Sequence, residues 1–324
     1  LSLHLKSLAM CMDLGIKNLE ANQLINCGRL YLSLGAPEDA LEHFRHAARL
    51  GRETGYARDE GYSLMGVGVC LEHTGRPASA ANAYRQAIKL LETSYELSEM
   101  PEELSGKADA LVLMAAVLDR SLGRPVDALD AYEEAAEIYS RLGDPLKLRS
   151  LLVRRAGLRW RTGNFEGSAR DYEEALERAR GQGEPAREAA ALASLSVVYR
   201  DLGRLQESLR SGRAALKLMR DLEDPQAEAY VLSSLAESHE QLGHYPSALS
   251  CLKRSLRLRR KIGDREGEVG ALHDLARIYE TLGDLDRSSE ASDEAISKRE
   301  ALEDGPKEGL KEGREVIATG EGRN

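Results

Sequence analysis

The sequence predicts an all-α chain, a right-handed α-solenoid (superhelix) built from helix-turn-helix repeats. Three observations predict it. Gly35, Gly75, Gly123, Gly163, Gly203, Gly243 and Gly283 recur every forty residues, with one interval of forty-eight. Seven positions before each stands a small residue (Gly28, Gly68, Ala116, Ala156, Ser196, Ala236, Ala276), and five positions after each stands another (Ala40, Ala80, Ala128, Ser168, Ser208, Ala248, Ser288). Ala, Leu, Arg and Glu dominate the composition, and aromatics are only 5%, a mix that favours helix throughout. Small residues in register at a long fixed period mark a repeat array, in which each unit buries its apolar face only by stacking on its neighbours.

One repeat shows why each element forms. Leu232, Leu235 and Ala236 fall at helical spacing and make a first amphipathic helix. Gly243 ends it, because glycine tolerates the left-handed backbone of a helix terminus. Pro246 sits in the first turn of the next helix, where its missing N–H costs nothing. Ala248, Leu249, Leu252 and Leu256 then form a second apolar face, and the small Ala236 and Ala248 let the two helices approach closely. The links between repeats read Leu142-Gly143-Asp144-Pro145, Leu222-Glu223-Asp224-Pro225, Ile262-Gly263-Asp264 and Leu302-Glu303-Asp304. Asp caps a helix N-terminus and Pro after it starts the helix. About fifteen helices follow from this grammar, a lone first helix and then seven pairs.

In chain order, residues 1–15 read as the second helix of a truncated leading repeat, so the chain is read as a fragment. Seven repeats follow at about 16–54, 55–100, 101–143, 144–183, 184–223, 224–263 and 264–304. The long interval places eight extra residues within 91–107, read as a helix extension followed by a loop before Pro101. Residues 305–324 are glycine-rich and charged with no apolar stripe, and read as a disordered tail.

Composition bounds the function. A formal net charge of −9 argues against a general affinity for nucleic-acid phosphates. No apolar run approaches the ~18–20 residues that cross a bilayer. The first residues read as helix rather than as a signal peptide, and Cys11, Cys27, Cys70 and Cys251 lie in helical apolar patterns without any CxxC spacing. Buried free thiols in a reducing, cytoplasmic compartment are the expectation.

Nothing in the chain reads as an active site. Gly66-Val67-Gly68 lacks the third glycine of a nucleotide loop, where Leu71 stands, and Gly61 and Gly66 have P-loop spacing but Val67 in place of the lysine. His43 and His46 share a helix face with no further ligand motif beside them. Paired carboxylates such as Glu133-Glu134 and Glu173-Glu174 lie on second helices, where a solvated face explains them. The expectation is a chain that is not an enzyme, with no cofactor and no metal.

The repeats resemble the tetratricopeptide repeat. Position 24 of that motif, an aromatic, falls on Phe44, Tyr84, Tyr132 and Tyr172; position 27, an alanine, falls on Ala47, Ala87, Ala135, Ala175, Ala215 and Ala295; position 11 is Tyr31, Tyr199 and Tyr279. The resemblance runs over about 19–301 and loosens where position 24 becomes Gly212, Leu252 and Ser292. The forty-residue period and the Leu-Gly-Asp links are similar to the LGN/Pins and rapsyn branch. The concave-face asparagines of LGN are absent, so LGN's own ligands are not carried over.

The resemblance implies that first helices line a concave groove through motif positions 2, 5, 9, 12 and 13. On this chain those positions give Met65, Val69, Leu113, Val117, Val153 and Val197 as an apolar lining, with Arg120, Trp160, Arg161 and Arg200 at its centre. Arg and Trp are enriched at binding hot spots, and Arg pairs with carboxylates in a fork. Trp160 either meets a ligand or fills a gap between repeats. Arg155 and Arg159, at positions 7 and 11 that usually face the core, leave a register slip open in that helix. The functional expectation is a scaffold or adaptor that holds a peptide or amphipathic helix of a partner protein, with apolar and acidic residues in it. The second reading is the sensor part of a larger regulator, to be distinguished by an effector domain in adjoining sequence.

Overall fold

The structure is a computed structural model that describes residues 2–303. Those residues form fifteen helices and no strand: α1 (Ser2–Asp13), α2 (Lys17–Ser33), α3 (Pro37–Thr54), α4 (Ala57–His73), α5 (Pro77–Ser98), α6 (Pro101–Arg120), α7 (Pro125–Leu142), α8 (Pro145–Arg161), α9 (Phe165–Gly181), α10 (Pro185–Asp201), α11 (Leu205–Asp221), α12 (Pro225–Gln241), α13 (Tyr245–Ile262), α14 (Arg265–Thr281) and α15 (Leu285–Glu303). The fold is an all-α repeat solenoid. The tail expected at 305–324 lies outside the described residues.

The punctuation of the helices is that of the sequence. All seven ladder glycines have positive φ, from 62° at Gly123 to 82° at Gly163. Asp144 accepts hydrogen bonds from the N–H groups of Leu146 and Lys147, Asp224 from Ala227 and Asp264 from Gly267. Each such cap contributes about 1 kcal/mol. The long interval differs from the expected extension and loop: its extra residues are divided between two helices. α5 has 22 residues and α6 has 20, whereas α3 and α7 have 18, and only Glu99 and Met100 link them.

Two compact units make up the chain, Leu1–Gln182 and Gly183–Asn324. In the first, α1 packs on α2 and each helix through α7 packs on the next, as α8 does on α9; in the second, α10 to α15 pack in sequence. The cores are where the small-residue ladders meet the aromatics. A Cβ on Gly68 would stand 2.4 Å from the Tyr84 ring, and Tyr84, fully buried, donates its phenol proton to Glu72. Ala236 and Ala248 are 1% and 0% exposed, so their two helices meet with no room for a larger side chain. All four cysteines are free; three are buried and Cys251 is half-buried. Burial pushes the Cys70 thiol up to about 11, which keeps it protonated and unreactive.

Candidate functional site

Successive first helices touch one another, α2 with α4 and α4 with α6 in the first unit and α10 with α12 in the second, while successive second helices stay further apart. In those pairs the first helices lie closer together than the second helices do.

In the first unit these residues divide. Val153 is 43% exposed and Trp160 37% exposed, both on α8. Met65, Val69 and Leu113 are half-buried, and Val69 and Leu113 pack against the first core. Val117 corrects the expectation: at 1% exposure it belongs to that core and presents nothing to a ligand. The sequence reading missed Leu146, which is 55% exposed on the same helix. Leu146, Ser150, Val153, Gly157 and Trp160 follow a four-three-four-three spacing, which puts them on one stripe of α8. Leu148, Leu151, Leu152, Ala156 and Leu158 occupy the opposite side and are buried, so the core of α8 is complete without the stripe.

The arginines of this region are mostly consumed within the protein. The Arg155 guanidinium donates twice to Asp171, at 2.9 and 2.6 Å, and Arg159 donates to Asp171 at 2.8 Å and to Glu133 at 2.7 Å. Asp171 is 4% exposed at its side chain and the two arginines 12% and 15%. The register of α8 therefore does not slip. Positions 7 and 11 do face inward, and a second-helix carboxylate neutralises the guanidinium groups there. Arg161 pairs with Asp119, and Arg149 donates to Gln182. Arg120 and Arg154 are exposed and form no ion pair among the described residues. Both, with Arg161, act on the Tyr132 phenol: burial raises its pKa, and the positive charges of Arg154, Arg120 and Arg161 oppose that rise against Asp119. Arg120, Arg154 and Arg161 thus all lie within electrostatic reach of the Tyr132 phenol.

Arg200 and Val197 belong to the second unit. Val197 is half-buried on α10. Arg200 is a second correction: its side chain is 13% exposed and held by Asp201 at 2.9 Å and by Glu237, so it offers no open cation. Glu237 has its pKa raised by burial, with Arg200 pulling it down and Asp274 pushing it up. Arg277 bridges Glu240 and Asp274 on the same side. On the first helices of the second unit Arg200 and Arg277 are thus each held by two carboxylates.

Gly66 and Gly68 lie within α4, against the rings of Phe44 and Tyr84. His43 bonds the Asp39 carbonyl at 2.8 Å and His46 stands 3.6 Å from Glu20, so the two rings are engaged separately. Among the described residues no cluster of three metal-ligating side chains occurs, and no helix is long and apolar enough to cross a membrane.

A profile described as tetratricopeptide repeat matches residues 20–93, 147–221 and 226–301, well over half of the chain. The chain belongs to the tetratricopeptide repeat family. A second profile, described as anaphase-promoting complex subunit 5, matches residues 69–154. No curated protein matches the sequence. Among solved structures this tetratricopeptide chain is similar to BtubC (BKLC) from P. vanneervenii, with a TM-score of 0.58 and 19% identity over 69% of this chain and 91% of that one. It is similar also to the apo form of RapI, at 0.59 and 14% over 88% and 100%. A third is PH0952 from Pyrococcus horikoshii, a signal transduction ATPase with a tetratricopeptide repeat sensor, at 0.58 and 17% over 89% of this chain. Only 41% of that larger protein is spanned. At these identities the likeness is one of fold.

Proposed function

We propose that the chain is a non-enzymatic scaffold that holds an amphipathic helix or extended segment of a partner protein along the first-helix face of its first unit. One observation carries the reading: the apolar stripe Leu146–Val153–Trp160 stays open to solvent on a helix whose core is already complete. Open apolar residues at seven-residue spacing are what the apolar face of a partner helix covers. Trp160 is the anchor, since a partly exposed indole contributes most to such contacts. Arg120 and Arg154 add anion pairing at the rim, while Arg161 and Arg200 are already neutralised and contribute little. The acidic part of the ligand is therefore secondary to its apolar part.

A pull-down with the chain, followed by peptide mapping and titration of the mapped peptide, tests this. Trp160→Ala is expected to weaken binding by at least ~2 kcal/mol. Arg120→Glu weakens it less and in a salt-dependent way, and Arg178→Glu, on the second helix α9, leaves it unchanged. A mapped peptide that binds Trp160→Ala as tightly as the unaltered chain refutes the site.

A further inference from the structure

A cleft of about 830 Å³ lies at the start of the first unit, between the second helices α1 and α3. It is separate from the α8 stripe. Its floor is apolar, with Leu8, Leu24 and Val67 each under 9% exposed. Met12, 52% exposed, stands on the α1 wall and supplies a flexible apolar surface that adapts to what it meets. The α3 wall is cationic: Arg45, Arg49 and Arg52 line it, with Glu42 as the one carboxylate. Arg52 is committed to Glu60, at 2.6 Å. Arg45 and Arg49 are exposed and form no ion pair among the described residues, in a chain of net charge −9.

We propose that this cleft docks an acidic amphipathic helix of a partner protein. The gap between two helices of one class is the shape that a third helix fills, with its apolar stripe on the floor. Arg45 and Arg49 stand one turn apart, about 6 Å along α3. A helix lying beside α3 presents carboxylates at i and i+4 with the same pitch, so each meets one guanidinium. The charge on the wall selects the occupant: a basic helix is repelled, and an uncharged one leaves two arginines unanswered.

The test uses the full chain and a fluorescein-labelled, end-capped synthetic helix of about three heptads, with Leu along one stripe and Glu one turn apart beside it. Fluorescence anisotropy at low salt is expected to show saturable binding. Arg45→Glu with Arg49→Glu is expected to weaken it at least about tenfold, with far-ultraviolet circular dichroism unchanged. Met12→Glu weakens it as well. The same peptide with Lys for Glu binds at least about tenfold less tightly. All of these titrations are made in a Trp160→Ala background, which removes the α8 face, so the binding that remains reports this cleft alone. The proposal is overturned if the probe shows no saturable binding, or if the double reversal leaves its affinity intact. It is overturned also if the double reversal changes the sedimentation of the free chain, since a second copy then fills the cleft.

Discussion

Asp171→Ala is expected to be among the most damaging single substitutions in the first unit. Its carboxylate receives three charge-assisted hydrogen bonds at 2.6–2.9 Å from two guanidinium groups that are 12% and 15% exposed. Removing the anion leaves both cations desolvated and without it, a situation that costs about 3–5 kcal/mol. Glu133, half-exposed, still answers Arg159, which places the expected loss in the lower half of that range. Replacing the whole triad by leucines (Arg155→Leu, Arg159→Leu, Asp171→Leu) removes the buried charges together, and is expected to fall within about 1–2 kcal/mol of the unaltered chain. Urea denaturation followed by circular dichroism measures both. Repeat arrays can unfold by units, so amide hydrogen exchange in α8 and α9 localises the loss. A cost below about 1 kcal/mol for Asp171→Ala refutes the assignment of these arginines as buried, anion-dependent core residues.

Three further outcomes follow from the same packing. Ala248→Leu, at a position with no exposure, is expected to cost about 1–3 kcal/mol by overpacking, whereas Ala301→Leu, exposed near the end of α15, costs much less; equal denaturation midpoints contradict the register. Glu223 takes the left-handed backbone, φ 54°, that glycine supplies at Gly143, Gly183 and Gly263; Glu223→Gly is expected to stabilise by about 0.5–1 kcal/mol, read as a raised thermal midpoint. The pKa of His239 is held below its ordinary value by burial first, then by the charges of Arg213 and His244, and its Nδ1 has no partner. The folded form therefore keeps it neutral while the unfolded chain protonates near pH ~6.5. Its stabilising effect is complete above that pH and is lost as pH falls toward the depressed folded value. His239→Tyr, the residue found in register at Tyr199 and Tyr279, is expected to flatten the stability profile between neutral and mildly acidic pH; an unchanged profile contradicts this.

The fold was legible because its determinants are local and periodic. A glycine at φ near 70°, an Asp that caps the next turn and a small residue against a ring each act within one repeat, so they recur in the sequence as ladders. The candidate site was legible only in part, because its determinants are pairings between helices. The run of arginines in α8 reads as a basic patch along the chain, yet Asp171, Glu133 and Asp119, on α9, α7 and α6, cancel most of it in space. Val117 and Val69 share a motif position, but Val117 is drawn fully into the first core while Val69 stays half-buried at its edge. Leu146 was missed because it precedes the motif positions from which the lining was read, although it continues the same stripe by one heptad.

The central claim is that the open stripe of α8 is where a partner lies. Site-specific photocrosslinking tests it most directly, with a benzophenone side chain placed at position 160, at position 153 and, as a control, at position 178. The account predicts that positions 160 and 153 crosslink to the same segment of the same partner protein, with an apolar stripe in that segment, and that position 178 does not. Crosslinks to that segment from position 178, with none from positions 153 and 160, contradict it.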